Sequence, residues 1–281
     1  VRTCTRVCVA TLLLATAGLA GCGSNDSNAP ATEAASAGAE SAGSGSNQLR
    51  LVAIGDSIPY NSSNDCPGCT GFVDRYAKAV EQATGQSVEV ENLSQHNSLT
   101  LPLLLDEIES FHDDLAAADV IVVGIAHNSM ELNTDRPCGA PRAGDLPPWA
   151  ATDEACAVRS AEEARTLYDR LYSRIAAWRE GKPTILRTID RYNDWIGWAD
   201  GHLTSSQERL TAVFIGEWNA VLCESAEANG FGCADISKAF NGPDGVKPSG
   251  DLLAADYTHP SEKGNALIAR TLAELGFAPL A

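Results

Sequence analysis

The chain has 281 residues, enough for one large domain or two small ones, and a formal net charge of −17 at pH 7. With 20 Lys and Arg against 37 Asp and Glu, it has no basic stripe to neutralise phosphates, which excludes nucleic acid as a partner. Most of the acidic residues read as solvated surface.

Val1 in the first position suggests an alternative start codon translated literally. Arg2 and Arg6 precede an apolar run over 7–20 that ends in Leu19-Ala20-Gly21-Cys22. A basic start, a short apolar stretch and small residues at a cleavage point make residues 1–21 a signal peptide. The run is too short to span a bilayer comfortably. Leu-Ala-Gly-Cys resembles a bacterial lipobox, which implies lipidation of Cys22 and an acyl anchor in the membrane. An ordinary signal peptide with an incidental cysteine is the alternative. Residues 22–47, rich in Ser, Ala and Gly, offer almost nothing apolar to bury and read as a flexible tether. The expected catalytic domain is 48–281, exported and either anchored on the outer face of the membrane or secreted.

Export changes the meaning of the nine cysteines. Cys4 and Cys8 leave with the signal, and Cys22 is the anchor. Cys66, Cys69, Cys138, Cys156, Cys223 and Cys233 remain, an even set that suggests disulfides. Pairing neighbours is simplest: Cys66 with Cys69, Cys138 with Cys156, Cys223 with Cys233. Cys66-Pro67-Gly68-Cys69 also has metal-ligand spacing, but no second close pair follows it, which weighs against zinc or a thioredoxin-like role.

Leu51-Val52-Ala53-Ile54 is a short continuous apolar run, the pattern of a buried parallel strand. Gly55-Asp56-Ser57 follows as a tight turn at the strand's carboxyl end. Phe72, Tyr76, Val80 and Ala83 keep helical spacing until Gly85 stops the helix. Residues 87–93 alternate like a half-exposed strand. Leu101, Leu104, Leu105, Ile108 and Leu115 predict one amphipathic helix with Pro102 in its first turn. Val120 to Gly124 predicts the most buried strand. Residues 130–158 break the rhythm with Gly, Pro and two cysteines. Ala164, Tyr168, Leu171, Ile175 and Trp178 predict a helix, and 183–186 a fourth strand. Asp190 to Gly201 is a second irregular segment. Ser205-Ser206-Gln207-Glu208 predicts a capping box opening a helix through Leu210, Phe214, Trp218 and Val221. A short strand at 233–235 and a helix through Ile268, Leu272 and Leu275 close the chain. Alternation of this kind predicts an α/β fold with about five parallel strands in flavodoxin-like order.

Ser, His and Asp make a nucleophile because imidazole takes the hydroxyl proton while the carboxylate orients the ring. Ser57 lies at the rim where such sheets bind ligands. In Asp256-Tyr257-Thr258-His259-Pro260 one loop delivers both a carboxylate and an imidazole. Taken singly, Asp56 and Ser57 are a helix cap and His259 a capping histidine; together they favour catalysis. Asp251 is a fallback carboxylate.

Gly55-Asp56-Ser57 near the start and Asp256-x-x-His259-Pro260 near the end resemble the SGNH (GDSL-type) hydrolases over most of 49–277. The resemblance implies a three-layer α/β/α sandwich, esterase or lipase activity, and no metal or cofactor. It implies an oxyanion hole built from Ser57 N–H, an asparagine after the third strand and a glycine N–H after the second. In Gly124-Ile125-Ala126-His127-Asn128-Ser129 the match is Asn128, otherwise a turn residue. In the other block no glycine appears, and Asn97 falls at its place. His96, His112, His127 and His202 receive no catalytic role, although His127 adjoins Asn128 in the expected pocket. The irregular segments are expected to wall the substrate pocket, with Trp149, Trp195 and Trp198 as lining or as local core. Expected substrates are esters: a lipid, an acylated carbohydrate or a small ester. The alternatives are an inactive envelope lipoprotein binding lipid or glycan, and an acyltransferase on the same fold.

Overall fold

The computed structural model describes residues 48–130, 153–196 and 203–281. The signal, Cys22, the tether, Cys138, Trp149, Trp198 and His202 lie outside the described residues. Five parallel strands form one sheet: β1 (Gln48–Gly55), β2 (Ser87–Asn92), β3 (Val120–Gly124), β4 (Ile185–Ile189) and β5 (Gly232–Ala234), in the order β2-β1-β3-β4-β5. This is the flavodoxin-like order expected from the sequence.

Helices cover both faces, and the apolar runs explain why. Along β1, Val52 and Ile54 point into one core while Leu51 and Ala53 point into the other. Along β3, Ile121 and Val123 divide from Val120 and Val122 in the same way. A strand apolar at every position therefore serves two layers, each buried Val, Leu or Ile contributing roughly 1.5–3 kcal/mol. The first core includes residues of α3 (Leu101–Glu107), α4 (His112–Ala117), α5 (Glu154–Trp178) and α6 (Ser205–Ala228). The second includes residues of α2 (Phe72–Thr84), α7 (Ile236–Asn241) and α8 (Glu262–Glu274). A short α1 (Ser57–Tyr60) follows β1.

Two local expectations shift. The single helix expected over 101–115 is broken by a 3-10 segment at Ile108–Phe111, where the Ser110 hydroxyl donates to the Glu107 carbonyl. The tighter segment still lets Leu104, Ile108 and Leu115 all reach the core. The capping box of α6 is Thr204 with Gln207, one residue before the pair read from the sequence. Gln207 serves as well as Glu at that position, so the pattern fits two adjacent registers.

Cys66–Cys69 and Cys223–Cys233 are disulfides, as the sequence suggests. Cys156 is disulfide-bonded too. Among the described residues no helix is long and apolar enough to cross a membrane.

Candidate active site

The site begins with a close approach of two backbones. Gly55 has φ +149°, and a Cβ there would sit 1.9 Å from the Gly124 carbonyl oxygen. Only glycine lets β1 turn this near β3. The Asp56 N–H then donates to that same carbonyl at 2.9 Å.

Asp56 is a clamp. Its Oδ1 accepts from Ile58 N–H at 3.0 Å, and its Oδ2 accepts from Ala126 and His127 N–H at 3.2 and 3.1 Å. One carboxylate thus caps α1 and holds the turn after β3. Burial pushes its pKa up to about 6, against the three N–H groups and the Arg191 charge, which pull it down.

Ser57 opens α1, so its N–H has no acceptor within the helix. Its Oγ lies 2.9 Å from His259 Nε2, and His259 Nδ1 lies 2.6 Å from Asp256 Oδ2. The other Asp256 oxygen accepts the N–H groups of Thr258 and His259, each at 3.0 Å. Burial tends to raise the Asp256 carboxyl, but these hydrogen bonds outweigh it and hold the group below its usual range. The ionised carboxylate fixes a proton on Nδ1, leaving the Nε2 lone pair directed at Ser57. The loop is a tight turn: Ala254 N–H donates to the His259 carbonyl at 2.8 Å, and Tyr257 takes the left-handed φ of 59°.

What joins Ser57 to a loop 202 residues away is Asn265, fully buried on α8. Its Oδ1 accepts from Phe72 N–H at 2.9 Å. Its Nδ2 faces Pro260 O and Ser261 O, both at 3.1 Å, and Asn61 Oδ1 at 3.3 Å. Asn61 caps α1, which Ser57 opens, so one amide ties α1, α2 and the His259 loop together. Nothing in the sequence marks Asn265, since a lone helical asparagine carries no signal.

The segment after β4 differs from expectation. Over its described part, 190–196, it is a buried support and not a pocket wall: Arg191, Tyr192, Asn193 and Ile196 are all at most 3 % exposed. Arg191 Nη1 donates to the His127 carbonyl at 3.0 Å and pairs with Asp194. The Tyr192 hydroxyl donates to the Thr258 carbonyl at 2.6 Å. Both turns that flank Ser57 are therefore braced from below. Trp195 is half-buried beneath Arg191, whose guanidinium lies 4.2 Å from the ring centroid. His127 packs its ring on Tyr192 at 4.4 Å, and burial, with the Arg191 and His259 charges, holds its pKa well below the imidazole norm.

Asp251, the fallback carboxylate, pairs with Lys263 on the surface and not with His259. Asn128 donates its amide to the Leu99 carbonyl at 3.1 Å, and exposed Asn97 donates to Gln95 Oε1 at 2.8 Å. Each amide keeps a second N–H. Asp65 completes the neighbourhood: its Oδ2 lies 2.8 Å from His96 Nε2 and 3.5 Å from His259 Nε2. Chemically, the hydrogen-bonded line from Ser57 through His259 to Asp256 can move a hydroxyl proton onto imidazole while the oxygen attacks an electrophilic carbon.

Similar folds recur among solved structures. The lipase Lip_vut3 from a goat rumen metagenome superposes with TM-score 0.63 at 19% identity, over 83% of this chain and 100% of that one. An extracellular lipase from Streptomyces rimosus gives 0.57 at 15% identity, over 82% and 100%. The acetyl xylan esterase AlAXEase gives 0.52 at 16% identity, over 82% and 100%. No curated protein sequence matches the chain. The profile of the GDSL-like Lipase/Acylhydrolase family matches residues 53–267, a span that holds Ser57, Asp256 and His259 alike, and the chain belongs to that family.

Proposed function

We propose that the protein is an exported serine hydrolase that cleaves carboxylic esters through an acyl-enzyme on Ser57. The observation that carries this reading is the continuous line Ser57 Oγ–His259 Nε2 at 2.9 Å and His259 Nδ1–Asp256 Oδ2 at 2.6 Å. In the forward step Ser57 Oγ bonds the ester carbon while His259 Nε2 takes its proton. The imidazolium returns that proton to the departing alcohol, and Asp256 stabilises it meanwhile. Water, activated by the same nitrogen, then releases the acid and regenerates Ser57.

The tetrahedral oxyanion is faced by the Ser57 N–H, by the second amide hydrogen of Asn128 and by the Asn97 N–H. A backbone donor does not require glycine, so Asn97 can stand where the family pattern has one; each donor contributes ~10²–10³ in turnover. Lipidation at Cys22 and a tether over 22–47 would hold the domain at the outer face of the membrane, within reach of lipids or acylated glycans. An alcohol in place of water would make the same intermediate an acyl donor.

Hydrolysis of nitrophenyl acetate by the purified protein tests this reading. Turnover is expected, and an ester chain-length series then assigns the acyl group. A second reading, a lipoprotein that binds lipid or glycan without turnover, is favoured by Asn128 and Asn97 donating to Leu99 and Gln95. Binding without any release of nitrophenol would support it and overturn the first.

A further inference from the structure

We propose that Asp65, His96 and His259 form a binding site for a divalent transition-metal ion, and that zinc seated there switches the hydrolase off. Their ligand atoms all lie within 4.8 Å of one another. One oxygen, Asp65 Oδ2, stands between two imidazole nitrogens, 2.8 Å from His96 Nε2 and 3.5 Å from His259 Nε2. Tetrahedral zinc with bonds of about 2.0–2.1 Å sets its ligand atoms roughly 3.3 Å apart, and the two separations from Asp65 Oδ2 bracket that value. His96 Nε2 now donates its proton to Asp65; with its side chain 38 % exposed, the ring can carry its proton on Nδ1 instead, so that Nε2 is free to bind the ion.

The electrostatics call for a cation. Asp256 fixes the proton of His259 on Nδ1, so Nε2, which accepts from Ser57 Oγ at 2.9 Å, offers an electron pair beside the Asp65 carboxylate oxygen. A metal ion seated there is drawn by the anionic Asp65 oxygen and by the Nε2 electron pair together. Two imidazoles and a carboxylate suit zinc, and a fourth position stays open for water or Ser57 Oγ.

All three ligands hang from one corner of the fold. Asp65 precedes the Cys66–Cys69 disulfide, whose Cys69 carbonyl accepts from the Asn61 side chain at 3.4 Å. Next to His96, Gln95 N–H donates to the Gly55 carbonyl at 2.9 Å. The site is therefore preformed, and loop ordering costs little.

The consequence rests on His259 being the catalytic base. An ion that takes the Nε2 electron pair leaves no acceptor for the Ser57 proton, and the nucleophile stays an alcohol. The ion is thus an inhibitor and not a cofactor.

Two measurements on the full chain test binding and inhibition separately. Equilibrium dialysis of zinc into wild type and Ser57→Ala is expected to show one tight site in each, weakened at least about 10-fold by His96→Gln or Asp65→Asn. Cobalt in its place is expected to give a tetrahedral visible spectrum that both variants lose. Zinc titrated into a nitrophenyl acetate assay is expected to inhibit wild type, with recovery on chelation. In each variant, scaled to its own metal-free rate, the inhibition midpoint is expected to rise with the dissociation constant. No binding at millimolar zinc, or binding and inhibition unchanged in both variants, would overturn the site. Binding without inhibition would overturn the switch. A metal-free protein without hydrolysis would overturn the hydrolase reading and leave dialysis to decide the metal site.

Discussion

Replacing Asp56 by Asn perturbs the clamp beneath Ser57 in a way that pH can read. The carboxyl is buried and its pKa stands near 6, against 3.8 for an ordinary aspartate. The folded protein therefore keeps the proton to a higher pH than the unfolded chain does. Across that window unfolding releases a proton, so native stability falls as pH rises. Integrating the two titrations between about pH 4 and about pH 7 gives a loss of roughly 2–3 kcal/mol from this one group. Asparagine carries no charge and contributes no such slope. It keeps one acceptor oxygen for Ala126 and His127 but turns an amide N–H₂ toward Ile58 N–H, and one buried hydrogen bond is lost. Urea unfolding of both proteins at the two pH values isolates the term, because every other carboxylate is common to both. Wild type minus variant stability is expected to fall by roughly 2–3 kcal/mol from the lower pH to the higher, about 1 M urea in relative midpoint. Parallel pH dependences would refute the argument that Asp56 is held up by burial.

Asp256→Asn retains a hydrogen-bonding side chain but no longer holds the Nδ1 proton, and kcat is expected to fall about 10³–10⁴-fold with little change in KM. Asn265→Ala leaves the buried Phe72 N–H without an acceptor and frees the His259 loop. It is expected to cost roughly 2–4 kcal/mol in denaturant unfolding and to lower kcat. Cys223 and Cys233, 10 residues apart, close a loop from α6 to β5; changing both to Ser is expected to lower stability by about 3 kcal/mol. The Ser57–His259 pair lies elsewhere, so kcat of the folded enzyme is expected to hold.

Much of the fold is legible because each layer writes its own period. The uninterrupted apolar runs of β1 and β3 feed two cores, and the 3.6-residue stripe of α2 ends at Gly85, as the helix itself does. Ser57, Asp256 and His259 are legible because they sit in short patterns, Ser57 at the end of β1 and the other two in the loop that enters α8. The supports under them are not. Asn265 and Tyr192 act through backbone groups far away in sequence, and nothing in their own neighbours marks those partners. The segment over 190–196 looks like a loop because Asp190, Arg191, Asn193 and Asp194 are polar. Burial is possible because the backbone N–H groups meet acceptors that only the folded chain supplies: Asn219 for Arg191, and Asn241 for Asn193. Asp56 misleads in the other direction, since its Oδ1 does cap α1 while its second oxygen crosses to the β3 turn.

The most direct measurement of the account is covalent labelling of wild type and Ser57→Ala by a fluorophosphonate, with the labelled residue located by mass spectrometry. The expected result is a single adduct on Ser57 in the wild type and none in the variant, which keeps its circular dichroism spectrum and loses ester turnover. An adduct on another residue, or turnover persisting in Ser57→Ala, would contradict it.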